Sequence, residues 1–344
     1  TWGELGGNIR AASRAVTAED AAVREEETDV ALQTATLFYS LLLTDALKIV
    51  ARDAGDVVQD AKEEIDRLLN EGAPDVDDAD LFQVLITEQE FNRLVVEVEE
   101  RHRTAEMALR RQLFLPDDVV VMADEVILTP IPFQVESLEE YHAMALENRP
   151  ELEKAAAGLA ARQALVDVAK SDYYPKLFLG GRFRAAATAG RYSQANPYHG
   201  DRLRGSSLEA GLGLRLGLSF HQTRARVEQA QAQASEVRFQ LDALRQLVLF
   251  EVEEAYRSLI SAEAALKAAQ EAYRLSKEWL QTETVNFDLD LGDTENLVRA
   301  VRANLDLQAK EYQAIYDYNL AVMKLLQTSG TLRQALNSGT FLGQ

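Results

Sequence analysis

Residues 221–291 read HQTRARVEQAQAQASEVRFQLDALRQLVLFEVEEAYRSLISAEAALKAAQEAYRLSKEWLQTETVNFDLDL and contain neither glycine nor proline. At about 1.5 Å per residue such a run makes a helix on the order of 100 Å long, far more than a compact domain can use. From Val227 a 3-4 spacing selects Ala230, Ala234, Val237, Leu241, Leu244 and Val248. After one four-residue step it resumes at Val252, Ala255, Leu259, Ala262, Leu266, Ala269, Tyr273, Ser276 and Leu280, and only Ser276 breaks the apolar rule. This is a coiled-coil-like seam with a stutter between Val248 and Val252, which relaxes left-handed supercoiling and lets long helices run straighter. The run stops at Asp288, Asp290 and Gly292, and a second helix is expected over about 294–328, carrying Leu297, Val301, Leu305, Tyr312, Tyr316, Leu320 and Leu325.

The same order occurs earlier. Residues 4–70 form a proline-free run interrupted by Gly6, Gly7 and Gly55, then a break at Gly72, Pro74, Asp75, Asp77, Asp78 and Asp80, then a helical pattern over 81–113. Ala35, Tyr39 and Leu42 match Val252, Tyr256 and Leu259 at an offset of 217, and Leu81, Ala105 and Leu109 match Leu297, Ala321 and Leu325 at 216. Internal duplication of a helical hairpin is the simplest account. Between the copies lie short extended pieces at 119–121 and 126–133, closed by Pro130 and Pro132, and helices at about 138–147 and 151–171.

Two segments alternate with period 2. Over 208–220, Leu208, Ala210, Leu212, Leu214, Leu216, Leu218 and Phe220 face one way, while Glu209, Gly211, Gly213, Arg215, Gly217 and Ser219 face the other. Its expected partner, 176 to about 192, sets Leu177, Leu179, Phe183, Ala185 and Ala187 opposite Arg182, Arg184 and Thr188. Strands of this length, tilted, can cross a hydrocarbon layer of about 30 Å. A soluble hairpin packed on a core is the plainer reading, but two strands alone cannot bury a wide leucine face. Leu212, Leu214, Leu216 and Leu218 are therefore expected to face lipid, and Arg182, Arg184, Glu209 and Arg215 the lumen of a barrel.

The 344 residues are 47% hydrophobic, with 56 acidic against 36 basic residues for a formal charge of -20. That excess speaks against a nucleic-acid partner. There is no cysteine, so no disulfide, thiol nucleophile or cysteine-bound metal. No stretch approaches the roughly 18 to 20 uninterrupted apolar residues of a membrane-spanning helix. His102, His142, His199 and His221 fall in separate segments without metal-ligand or triad spacing and are expected to be solvated. Neither acidic cluster, 75–80 or 288–295, has the glycine and glutamate placement of a calcium-binding EF-hand loop. No catalytic, cofactor-binding or metal-binding residue is expected, and no enzyme activity.

Several stretches resemble the TolC-like outer-membrane efflux protein family. ALENRPEL at 145–152 resembles that family's start of the second repeat, and YYPKL at 173–177 its approach to a strand. Glu254, Ala255, Tyr256 and Leu259 resemble its mid-helix pattern, GDTENL at 292–297 its inter-helix turn, and Tyr318, Asn319, Leu320, Ala321, Gly330, Thr331 and Leu332 its closing helix. Each is short, and their order across the chain carries the signal. The resemblance implies a mainly α protein with a small transmembrane β part. Long coiled-coil-like hairpins in a duplicated arrangement would join strands of a shared β-barrel in a TolC-like trimeric channel-tunnel.

The implied domains are a first-repeat helical hairpin at 1–116, a connector or equatorial segment at 117–150, and a tunnel helix at 151–174. A barrel hairpin at 175–220, a second-repeat hairpin at 221–329 and an equatorial tail at 330–344 follow. Trp2 and Gly3 hold the place of Phe220 and His221, so counterparts of roughly 137–219 are absent and the chain is expected to be N-terminally truncated. The implied function is passive export of small molecules or proteins in a tripartite efflux or type I secretion system. Implied partners are two further copies in a homotrimer, a periplasmic adaptor (membrane fusion) protein, an inner-membrane pump and outer-membrane lipid. The implied location is the outer membrane, extending into the periplasm of a bacterium with two membranes. Gly72, Leu291, Gly292, Asp293 and Thr294 would form adaptor-docking tips, and Asp288, Asp290 and Asp293 the charge at the periplasmic mouth. The alternative is a structural coiled-coil scaffold without transport activity.

Overall fold

The computed structural model describes residues 2–72, 77–121, 127–190, 196, 198, 205–289 and 294–338. In chain order these form α1 (Glu4–Glu71), α2 (Asp78–Gln112), α3 (Leu138–Asn148), α4 (Pro150–Ser171), β1 (Lys176–Ala186), β2 (Gly205–Arg215), α5 (Phe220–Asp288), α6 (Thr294–Thr328) and α7 (Leu332–Asn337). The duplication is visible in the lengths: α1 and α2 have 68 and 35 residues, and α5 and α6 have 69 and 35. Adding 216 to the bounds of α2 gives the bounds of α6.

By contacts the chain divides into two units, Thr1–Ala22 with Glu151–Leu244, and Val23–Pro150 with Arg245–Gln344. In the first unit α1 runs through Gly6 and Gly7 without interruption. Gly7 is buried there, and a Cβ on it would stand 2.5 Å from Cγ2 of Val168 and 3.2 Å from the Ala164 carbonyl. The helix former alanine is thus excluded by the approach of α4, which outweighs glycine's cost of about 1 kcal/mol inside a helix. An Arg10–Asp167 ion pair crosses the same contact at 3.3 Å.

The strands differ from the expected spans. β2 ends at Arg215, opposite Lys176, and β1 cannot begin earlier because Pro175 has no N–H to give the ladder. Leu216 and Leu218 therefore lie beyond the strand. Ser219 then accepts from the Gln222 and Thr223 amides and starts α5 at Phe220. Each strand has 11 residues, the length a tilted transmembrane strand needs.

In the second unit every seam position expected on α5 from Val248 onward is buried or half-buried, and Val248, Val252 and Leu259 are wholly so. The polar exception has a partner: Ser276, buried, accepts from Nδ2 of Asn304 on α6 at 3.0 Å and donates to the Tyr273 carbonyl at 2.7 Å. The first hairpin has its own clusters, Leu41 with Ala105 and Leu109, and Val58 with Ile65 and Val84. By composition α1 holds an 18-residue stretch apolar enough to cross a bilayer, the one described helix that does. Buried Leu41, Leu42, Leu43, Ala46 and Val50 tie α1 to the bundle instead.

Candidate channel-forming surfaces

The hairpin presents two chemically opposite faces. Its register pairs Leu177 with Leu214, Leu179 with Leu212, Gly181 with Ala210 and Phe183 with Leu208 on one face. On the other it pairs Lys176 with Arg215, Phe178 with Gly213, Gly180 with Gly211, Arg182 with Glu209 and Arg184 with Ser207. The apolar face is bare: Leu212 is 85% exposed, and Leu177, Leu179, Phe183, Leu208 and Leu214 are exposed with it. Six such side chains in water forgo on the order of 10 kcal/mol of burial free energy, so the face is built for an apolar environment outside the chain. On the polar face the Phe178 ring fills the space over Gly213, where a Cβ would come within 2.1 Å of it, and the Arg215 guanidinium lies 5.9 Å from the ring centroid.

Where β1 begins, Trp2 stacks on Tyr174 at 5.6 Å and donates through Nε1 to the Pro175 carbonyl. Lys176 is held by Glu4 at 3.1 Å and Asp172 at 2.9 Å.

The connector at 127–133 forms no ladder with another described residue. Its prolines at 130 and 132 remove two donors, and α6 meets backbone groups of Thr129 and Ile131. Buried Asn319 accepts from the Ile131 amide at 2.8 Å and donates to the Thr129 carbonyl at 2.9 Å, while the Tyr318 hydroxyl reaches the Ile131 carbonyl at 3.4 Å. Leu128 and Ile131 are thereby held in the core. α3 opens with a capping box between Ser137 and Glu140. It ends at Arg149, whose extended backbone suits the residue before Pro150. Arg149 pairs with Glu251 at 2.8 Å.

α6 closes in a Schellman motif: the Gly330 amide bonds Gln327 and the Thr331 amide bonds Leu326. Gly330 has φ +74°, and a Cβ there would lie 2.9 Å from the carbonyl carbon of Asn148. α2 ends in the same motif, with amides of Phe114 and Leu115 bonded to Arg111 and Arg110. There Phe114, the repeat counterpart of Gly330, takes φ +54° and is 95% exposed.

At the far end of the hairpins Gly72 has φ +74° in open space, and Asp77 caps α2 by accepting from the Ala79 amide at 2.8 Å. Leu291, Gly292, Asp290 and Asp293 lie outside the described residues. Asp288 closes α5 and Thr294 opens α6, with their side chains likewise outside them. Near this end Nη2 of Arg302 on α6 donates to Oγ1 of buried Thr87 and to Glu90 on α2, both at 3.0 Å. Cavities of about 580 and 680 Å³ flank this link, both lined by Phe91 and Arg302. Sequence reasoning missed Arg302, Asn304 and the role of Asn319; an asparagine inside the apolar run 318–323 was the one available signal.

Two histidines are not solvated as expected. His102 is half-buried, with Nδ1 3.3 Å from Oγ1 of Thr44 and 3.2 Å from Asp45, and Nε2 of His142 is buried without a hydrogen-bond partner among the described residues. His221 is exposed, and His199 lies outside the described residues. Elsewhere burial pushes the Tyr39 and Tyr141 hydroxyls up, and burial likewise raises the Glu311 carboxyl, with nearby Lys277 opposing.

The fold is shared with solved structures of outer-membrane proteins, channels among them. OprN matches at 17% identity and a TM-score of 0.79, over 95% of this chain and 72% of that one. The open state of MtrE from Neisseria gonorrhoeae matches at 14% and 0.80, over 96% and 72%. The outer membrane protein VceC from Vibrio cholerae matches at 15% and 0.76, over 96% and 76%. No curated protein matches the sequence. Residues 142–338, more than half of the chain, match the family described as outer membrane efflux protein. With the duplicated hairpins, the two-faced strands and this match together, the chain belongs to the outer membrane efflux protein family, proteins of the outer membrane that act as channels and not as enzymes.

Proposed function

We propose that this chain is one protomer of a trimeric channel-tunnel, the passive exit duct of a tripartite efflux or type I secretion system. The observation that carries the reading is the hairpin with one bare leucine face and one arginine-glycine face. A two-stranded hairpin cannot persist in lipid with open edges, so its strands join others in a closed barrel. Two helical hairpins of equal length are too few to enclose a wide tunnel, and three copies supply enough. The helices extend through the periplasm, with the connector forming a belt around them. At their far end the turns at Gly72 and at Leu291, Gly292, Asp293 and Thr294 meet a periplasmic adaptor, which couples the duct to an inner-membrane pump. Asp288, Asp290 and Asp293, repeated by threefold symmetry, make an acidic mouth that favours cations.

Light scattering of the protein in detergent should give a trimer, and planar-bilayer recording a conductance. A detergent-independent soluble rod without conductance would instead be a coiled-coil scaffold. Changing Asp288, Asp290 and Asp293 to asparagine should weaken cation preference, and Gly292→Trp should abolish export while trimers still accumulate. Unaltered selectivity in the first variant, or unaltered export in the second, would remove the corresponding assignment.

A further inference from the structure

We propose that the polar face of the β1–β2 hairpin is an anion-selecting surface, so that this end of the channel favours negatively charged solutes. The inference rests on the barrel reading above and assigns that barrel a specificity. Acidic residues outnumber basic ones 56 to 36 in the whole chain. The hairpin reverses this balance: KLFLGGRFRAA and GSSLEAGLGLR hold Lys176, Arg182, Arg184 and Arg215 against Glu209 alone. All five side chains lie on the polar face, because their register positions share one parity across the ladder.

Neighbouring carboxylates cancel the charge of Lys176 and leave that of the arginines. Glu4 and Asp172 are spent on Lys176, and Asp172 also meets Arg226 at 3.4 Å. Glu209 stands opposite Arg182, which leaves Arg184 opposite Ser207 and Arg215 over the Phe178 ring. None of the three arginines forms an ion pair with a described residue, and all three are exposed. Arginine also keeps its charge at any working pH.

The spacing between the cations matters as well. Arg215 at one end and Arg182 with Arg184 at the other form two cationic positions about 20 Å apart at about 3.3 Å per residue, Lys176 being neutralised by Glu4 and Asp172. Between them the face is Gly180, Gly211 and Gly213, with nothing near the first two and the Phe178 ring over the third. That stretch offers no charge and the Phe178 ring as its one bulky group, so a solute passing it meets cations at both ends and an uncharged floor between. Inside a narrow low-dielectric wall such charges are focused, and local potentials of several kT result. A solute bearing carboxylate, phosphate or sulfonate groups is enriched there, while a cation is depleted.

These 344 residues hold no cysteine, so a thiol introduced among them is the only one they carry, and the channel without it serves as the unreactive control. Ser207→Cys places a thiol on the polar face opposite Arg184, and Leu212→Cys places one on the apolar face. Each full-length channel is recorded in a planar bilayer while an anionic sulfonatoethyl or a cationic trimethylammonium methanethiosulfonate is added. The current through the Ser207→Cys channel should change with both reagents, faster with the anionic one. The ratio of the two rates should fall about fivefold or more when Arg182, Arg184 and Arg215 become glutamine, a shift of about one kT in local potential. Single substitutions at each arginine, showing proportionate falls, guard against a triple variant that does not assemble. If both reagents act at Ser207→Cys but the ratio ignores the arginines, the anion selectivity is wrong and the barrel stands. If neither reagent changes the current at Ser207→Cys while Leu212→Cys responds, the faces are reversed and the barrel reading fails with the inference.

Discussion

Asn319→Leu should release the connector from α6, and the size of the effect follows from what the asparagine touches. Asn319 is 0% exposed, and its two hydrogen bonds go to the Ile131 amide and the Thr129 carbonyl, which have no other partner among the described residues. Leucine has the same number and branching of heavy atoms and is the larger of the two, so none of the cost is cavity. The Ile131 amide is then orphaned beside a residue only 5% exposed, at about 1–3 kcal/mol, while the carbonyl of exposed Thr129 recovers water at about 1 kcal/mol. Together, about 3 kcal/mol of local stability is lost, on the order of a hundredfold in the opening equilibrium of the connector. Hydrogen exchange at the Ile131 amide should accelerate by that factor, and limited proteolysis over 127–133 should follow it. Asn319→Asp separates chemistry from shape. Ionised, it keeps the acceptor for Ile131 but turns a second oxygen toward the Thr129 carbonyl; protonated, it donates there as asparagine does. Its folded pKa is therefore raised, so the native state holds the proton more tightly, and stability falls as pH rises through that pKa. Acid should rescue the aspartate variant and leave the leucine variant loose. Unchanged Ile131 exchange in Asn319→Leu would refute the reasoning.

Gly330→Ala should destabilise by at least about 1–2 kcal/mol, because it forces a left-handed backbone and a contact with Asn148, whereas Phe114→Gly at the repeat counterpart should stabilise by about 1 kcal/mol; thermal melts in detergent measure both. Arg302→Ala removes a link whose side chain is 53% exposed, worth no more than about 1 kcal/mol. Local hydrogen exchange around Thr87 should therefore rise by no more than about fivefold. Glu311 has a carboxyl raised by burial, so the native state prefers it protonated and loses stability as pH rises through the folded pKa. Glu311→Gln should accordingly raise the melting temperature at pH 7.5 and leave it nearly unchanged in acid.

The helices were legible in the sequence because their signal is local and repeated. A seam of sixteen positions on α5, with its stutter, needs only the 3.6-residue period to be read, and those positions are buried or half-buried in the structure. The period-2 alternation likewise separated Leu212 and Leu214 from Glu209 and Arg215. Strand ends were less legible. Alternation continues through Phe220, but a strand lasts only as long as its neighbour can supply hydrogen bonds, and Pro175 ends that supply.

The sequence by itself determined the long helices, their duplication and the two opposite faces of the hairpin, since each depends on the spacing of side chains along one segment. Tertiary structure decided which polar residues meet across segments. Ser276 looked like a flaw in its seam until Asn304 was placed against it, and Asn319 looked like one more residue of a helix until it met the amide between two prolines. Gly7 and Gly330 are required by backbones arriving from α4 and from the α3–α4 junction. Arg302 finds Thr87 and Glu90 more than two hundred positions away in the chain. Periodicity records what one element buries, but it carries no information about the partner that arrives from elsewhere, and hydrogen-bond satisfaction is settled only between the two.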